Sequence, residues 1–593
     1  MKSFIKHVFS SAIGVLLAVG VLGIIGCIII IGIAASSNQT ASIGKNSILH
    51  IVLKGDMCEQ TAEDPINDLL GIAQESLSLS ELREALKKAK NMDEIKGIFL
   101  EGGSVYADPA SLEELRKCLA DFKKSDKFVF SYADDYTQGS YYVCSLADKI
   151  AINPEGSLDW KGLSSQPTFY KDVLAKFGVK VQIFKVGTFK SAVEPFIRTD
   201  MSVPNRLQVN AFLNSIWGNF VADVSKSRRI PADSLQAYAD RYTGMASTKD
   251  LLKMHLIDNI AYIDEAKSML KKFVNINKDE KLSLVSPSDV CQAKSPDDKS
   301  SNNKIAIYYA SGEIYNEAPQ AATSAGDLIV ATSMISDLDE LKNDEAVKAV
   351  VLRINSPGGS AYASEQIWRA VKQLGKEKPV IVSMGGYAAS GGYYISSASQ
   401  YIVAEPTTLT GSIGIFGMLP DASGLLQDKL GFKYDKVNTN KMSDFYLGNF
   451  TRPLTPAEGE LIQGKIEKGY QLFMRRVAEG RKMSVGQVDS IGQGRVWTGE
   501  QAIKIGLVDK LGTLDDAVKQ AVAKAKLGND YETEDYPIAE PWYMTLLDEK
   551  KESYYESHLR ETLGDYYKPF TYLKTLWQRD CIQARLPYEP NIR

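Results

Sequence analysis

The chain has 593 residues, 44% hydrophobic and 24% charged, with a formal net charge of −4. That balance suits two or more ordinary domains and gives no electrostatic case for nucleic-acid binding. Its six cysteines, Cys27, Cys58, Cys118, Cys144, Cys291 and Cys581, show no CxxC or Cys/His metal spacing, so they give no metal site; no cofactor is expected either. They read as mostly buried thiols, although an extracytoplasmic compartment would permit a disulfide.

Lys2, Lys6 and His7 precede an uncharged run over residues 12–35, rich in Ile, Val, Leu and Gly. The run is long enough to span a bilayer and lacks a small-residue cleavage site, so it reads as a retained anchor. Positive charge before it predicts a cytoplasmic amino terminus and a body outside. Cys27 sits in a lipoprotein-like box, but apolar residues continue past it, which makes it a bystander.

Residues 46–276 alternate between strand and helix patterns. A strand is predicted over 48–53, and Leu82, Ala85, Leu86 and Ala89 share one helical face behind a Ser78/Glu81 capping box. A strand over 98–104, a helix over 112–122 and a strand over 128–133 follow, as expected of β-α units on a largely parallel sheet. Residues 277–303, rich in Lys, Asp, Ser and Pro, read as a solvated linker.

The same order recurs over 304–530: a shift of 252 lays Tyr393 on Tyr141 and Ser390 on Gln138. A repeat of this length means duplicated domains, the first without the serine. In the second copy, the strand over 350–354 ends in Pro357-Gly358-Gly359, and the apolar run over 380–384 reaches Gly385-Gly386, read as a sharp turn before a helix opening at Ser390. Ser412 lies in a third glycine-punctuated turn. A serine at the carboxyl edge of a sheet, facing the unpaired N–H groups of a helix start, suits a nucleophile beside an oxyanion site. The alternative is a serine that merely caps its helix.

Of the four histidines, His7, His50, His255 and His558, none sits in a recognisable triad context, which favours a lysine as base while a Ser-His-Asp triad stays open. A lysine can serve only if burial keeps it neutral. Residue chemistry alone does not choose which one. The tail over 531–593, with Trp542, Tyr543, Trp577 and helical spacing around 559–567, reads as a packing, assembly or membrane-surface segment.

The stretches Asn355-Ser-Pro-Gly-Gly-Ser360, Tyr387-Ala-Ala-Ser-Gly-Gly-Tyr-Tyr394, Thr410-Gly-Ser-Ile-Gly414 and Gly187-Thr-Phe-Lys-Ser-Ala-Val-Glu-Pro-Phe196 are together similar to the long, duplicated form of the signal peptide peptidase A (protease IV) family, in the ClpP/crotonase-like superfamily. The resemblance covers most of residues 46–530. It implies an α/β fold of two tandem ClpP/crotonase-like domains after one transmembrane helix, with residues 1–45 comprising the cytoplasmic start and that anchor. It further implies a membrane-anchored serine protease with a Ser-Lys dyad that degrades signal peptides and other apolar peptides at the periplasmic face of the bacterial inner membrane, as a homo-oligomer expected to be a homotetramer. By the same resemblance Ser390 is the nucleophile, Lys190 the general base, Ser412 the residue orienting the lysine, and Gly359 and Gly391 the oxyanion donors. A shift of 251 lays Lys190 on Lys441, so a self-contained second half using Lys441 stays open, and so does Lys190 as an ordinary surface lysine. Two other functions use the same features: a crotonase-type acyl-CoA enzyme, opposed by the expected topology, and a non-catalytic peptide-binding scaffold.

Overall fold

The computed structural model describes residues 42–61, 76–296, 300–318, 328–445, 450–538 and 582–586, with four isolated positions between 14 and 21. Among the described residues no helix is long and apolar enough to cross a membrane. The expected anchor over 12–35 lies essentially outside them, as does the helical spacing around 559–567.

Strands Ser47–Val52, Ile95–Glu101, Phe128–Ala133 and Lys149–Ile152 form the middle of a six-stranded parallel sheet, edged by Leu284–Val285 and Asn259–Ile260. The strand interiors are apolar and buried on both faces, as crossover helices require. One of these is Leu79–Asn91, capped by Ser78 and buried along Leu82, Ala85, Leu86 and Ala89. The second sheet repeats this order with Lys304–Ser311, Val347–Ser356, Val380–Ala389 and Tyr401–Ala404.

Three expectations need correction. Residues 277–303 are more than a linker: Leu284 and Val285 pair with Ile48 and Leu49, and helix Pro287–Gln292 packs on Leu79–Asn91, with Lys88 Nζ donating to the Cys291 carbonyl at 2.6 Å. Few apolar residues in a polar stretch sufficed, helped by the Ser286/Asp289 capping box. Second, Gly385-Gly386 is not a turn but lies inside strand Val380–Ala389, where the strand exchanges Tyr401–Ala404 for Leu409–Gly411 as its neighbour. Glycine is needed there for closeness: a Cβ at Gly386 would stand 2.2 Å from the Asp108 carboxylate carbon. Third, Glu532–Tyr536, expected in the tail, pairs with Lys304–Tyr308 and edges the second sheet.

The two halves are interlocked. Strand Lys180–Lys185 of the first half pairs antiparallel with Phe416–Asp421 of the second, in a sheet ordered Leu328–Val330, Glu313–Tyr315, Gly358–Ser360, Ile582–Arg585, Phe416–Asp421, Lys180–Lys185. Within strand Val347–Ser356, Arg353 is 1% exposed and donates to Glu59 at 2.9 Å and Glu114 at 2.6 Å, both from the first half. Burial pushes the Glu59 carboxyl above its ordinary value even with this partner. Removing one member of such a buried set typically costs ~3–5 kcal/mol, so the contact fixes how the halves meet.

Candidate active site

Ser390 links the wholly buried strand Val380–Ala389 to helix Gly391–Ser396 with φ +55° and ψ −109°. A non-glycine residue rarely adopts this left-handed φ, which costs on the order of 1 kcal/mol and must be imposed by its surroundings. Here the Ser390 N–H donates to the Gly411 carbonyl at 2.8 Å, and the Tyr394 N–H donates back to the Ser390 carbonyl at 2.8 Å. The hydroxyl makes no capping bond, which disposes of the helix-cap alternative. Instead Oγ stands 2.7 Å from Lys190 Nζ, with both residues 0% exposed.

Lys190 arrives from the first half and is held from several sides. The Phe189 N–H donates to the Gln493 carbonyl at 2.9 Å. Gly494, at φ +78°, lies so close that a Cβ there would stand 2.6 Å from the Lys190 nitrogen. Gln208, on helix Val203–Arg228, donates to the Phe189 carbonyl at 3.0 Å and to Ser191 Oγ at 2.9 Å, and accepts from the Val496 N–H at 3.2 Å. One glutamine amide thus ties the lysine loop to the second half. Lys190 Nζ also lies 3.1 Å from Ser412 Oγ and 3.2 Å from the Ser412 carbonyl. Burial holds the Lys190 amine well below the usual lysine value.

The glycine turns meet beside this pair. Gly391 opens the helix after Ser390, where a Cβ would strike Ser364 Oγ at 2.7 Å, and a Cβ at Gly358 would stand 2.8 Å from the Gly391 nitrogen. Gly359 is buried in strand Gly358–Ser360. Ser390, Lys190, Ser412, Gly359 and Gly391 therefore gather in one place, whereas Lys441 is exposed in a surface turn. His50 is engaged elsewhere, 2.8 Å from Glu101 and stacked on Phe99, and His255 is exposed. His7 and His558 lie outside the described residues. Gln208 and Gly494 carried no local signal, because their importance comes only from contacts across the halves.

In the first half the position matching Ser390 holds Gln138, 1% exposed. Its Oε1 accepts from the Lys161 and Gly162 N–H groups, both at 2.9 Å. The amide occupies the helix start with hydrogen bonds to the chain itself and leaves no free hydroxyl.

The sequence matches Peptidase family S49 twice, over residues 121–277 and 372–528, and the Clp protease family over 306–407. It is 39% identical to Protease 4 of Salmonella typhi over 461 residues, spanning 76% of this chain and 72% of that protein. Identity to Protease 4 of Haemophilus influenzae is 34% over 526 residues, 86% of this chain and 84% of that protein. The chloroplastic serine protease SPPA of Arabidopsis thaliana is 32% identical over 487 residues, 82% of this chain and 70% of that protein. These relatives set aside the acyl-CoA and scaffold alternatives.

The folded chain keeps the Lys190 amine well below the value it has when unfolded, so between the two values the unfolded state binds more protons and stability rises with pH. Lys190→Met keeps the volume and removes the titration. It should be more stable than wild type at neutral pH by ~1 kcal/mol, with the difference shrinking towards the usual lysine value. Thermal unfolding of both proteins across that range measures this, and a variant less stable throughout would contradict it.

Proposed function

The chain belongs to peptidase family S49 and is a serine protease, and from that premise we propose a membrane-anchored endopeptidase in which Ser390 is the nucleophile and neutral Lys190 the general base. The observation that carries this reading is the 2.7 Å contact between Lys190 Nζ and Ser390 Oγ, sealed from solvent and without a histidine among the described partners. A neutral amine offers the lone pair that an ammonium lacks. It accepts the Ser390 proton as Oγ adds to a peptide carbonyl carbon. The oxyanion develops beside the backbone N–H groups of Gly359 and Gly391, aligned before reaction and screened from water, where such donors act most strongly. Lys190 then protonates the leaving amine, and a water molecule, activated through the same nitrogen, hydrolyses the acyl-enzyme. Ser412, within hydrogen-bond reach of Nζ, keeps the amine aimed at Ser390.

The substrates are cleaved signal peptides and other apolar peptides, met where they leave the bilayer. The uncharged run over residues 12–35 behind Lys2 and Lys6 supports an inner-membrane anchor with the body in the periplasm. A homotetramer is the proposed assembly.

Ser390→Ala and Lys190→Ala should each lower kcat for an apolar peptide ester by about 10³-fold or more, while Lys441→Ala stays within roughly two-fold of wild type. Steady-state hydrolysis on purified protein decides this, and an inactive Lys441→Ala beside an active Lys190→Ala would sink the cross-domain pair. Periplasm-dependent reporters fused after residue 45 should be active, whereas a cytoplasmic phenotype would refute the topology.

A further inference from the structure

Helix Pro109–Phe122 of the first half packs on strand Val380–Ala389 and reaches the turn after strand Tyr401–Ala404 of the second. Two buried glutamates meet there, Glu113 from the helix and Glu405 from the turn, with side chains 4% and 1% exposed. They share one cation: Lys117 Nζ lies 2.9 Å from Glu113 Oε1 and also contacts Glu405 Oε2. Two carboxylates against one ammonium would leave excess negative charge in a nearly dry interface, which is costly.

The hydrogen bonds distinguish the two. Glu113 Oε2 accepts from the Thr407 hydroxyl at 2.7 Å and from the Thr407 N–H at 3.2 Å, so both its oxygens have donors. Glu405 Oε1 has no hydrogen-bond partner among the described residues. A charged oxygen left so would lose its hydration without return, so Glu405 is the one that keeps its proton. Burial, and after it the Glu113 carboxylate, push the Glu405 carboxyl well above its ordinary value; burial raises Glu113 too, against the pull of Lys117. The surrounding groups do not relieve the pair. Glu114, on the same helix, is held by Arg353 at 2.6 Å, and burial pushes the nearby Cys118 thiol up, which keeps it uncharged. Asp223, facing Glu113 from helix Val203–Arg228, accepts from the Tyr142 hydroxyl at 2.5 Å, and Glu500 pairs with Lys504 at 2.8 Å.

A few residues join this pair to the reacting groups. Thr408 Oγ1 donates to the Gly385 carbonyl at 2.8 Å and Thr410 Oγ1 to the Ala388 carbonyl at 2.7 Å. Strand Leu409–Gly411 then ends on the carbonyl that accepts the Ser390 N–H, and Ser412 follows it. Moving residues 405–408 therefore moves both serines that face Lys190.

We propose that Glu113 and Glu405 form a proton-dependent latch between the halves, a pair of positioning residues that keep strand Leu409–Gly411 aligned with Ser390 only while Glu405 holds its proton. The proposal rests on Ser390 and Lys190 being the catalytic pair. When water or hydroxide takes that proton, two anions face each other across the interface, the helix is pushed away from Thr407, and Ser390 and Ser412 lose their alignment with Nζ. Activity then has an upper pH limit that a lysine base alone does not supply, because an amine once neutral stays a base as pH rises.

The test has two arms. In wild type, kcat for an apolar peptide ester should rise as Lys190 loses its proton and fall again by roughly five-fold or more before ~10.4, the ordinary lysine value. Glu405→Gln and Glu113→Gln should each remove that fall, since either leaves Lys117 a single carboxylate. The second arm is thermal unfolding in the Lys190→Met background, where the lysine titration is gone. Glu405 binds its proton more tightly folded than unfolded, so above the ordinary carboxylate value stability should drop as pH rises, and adding Glu405→Gln should flatten the drop. A wild-type kcat that holds its plateau up to the ordinary lysine value, or a fall that persists in both glutamine variants, overturns the latch and leaves the catalytic pair standing. Unfolding midpoints with the same pH dependence with and without Glu405→Gln overturn it as well. A protein inactive at every pH whose unfolding still depends on Glu405 overturns the catalytic pair instead, and with it the role of the latch.

Discussion

An amine sealed from water, carried from one domain to the serine of another, is the interaction on which this molecule depends. Nζ of Lys190 has its hydrogen-bond partners at Ser390 and Ser412, and both serines sit at left-handed φ angles, +55° and +47°. An ammonium in this place would lose its hydration with no compensating charge, so the site favours the neutral amine. What would weaken an ordinary salt-bridging lysine gives this one its capacity to accept a proton.

That requirement accounts for the architecture around it. The amine stays dry only if the halves close firmly on the lysine loop, and the closure is distributed: strand Lys180–Lys185 joins a sheet of the second half, Gln208 bonds to both sides, and Arg353 meets Glu59 and Glu114 deep below. Duplication supplied two similar sheets, which were then free to specialise. One keeps the strand, the strained turn and the serine; the other supplies the lysine and fills its own equivalent position with Gln138.

Much of the fold was legible in the sequence because buried parallel strands are continuous apolar runs and the repeat shows them twice. Ser390 stood out because a strand-to-helix window carrying it was joined by two further glycine turns, since that window alone fits a helix cap equally well. Gly385-Gly386 misled because glycine signals both turns and close approach, and only the neighbouring Asp108 and Glu59 carboxylates decide between them. Residues 277–303 misled because composition outweighed the few apolar positions that pair with the first sheet. Lys190 was favoured by its family resemblance; its burial, which makes it chemically distinct, arises from residues 200 and more positions away in the chain. The strand Ile582–Arg585 had no readable signal, since its partners are backbone edges.

The central claim is that Lys190 is a free amine at the pH where the enzyme works. Carbon-13 NMR of protein labelled at lysine Cε tests it directly, with Lys190→Met identifying the resonance. The account predicts one signal already at the free-amine position at neutral pH, titrating well below all others, with phosphonylation of Ser390 by a fluorophosphonate, Oγ displacing fluoride from phosphorus, rising over the same interval. A Lys190 signal that titrates together with the surface lysines would contradict it.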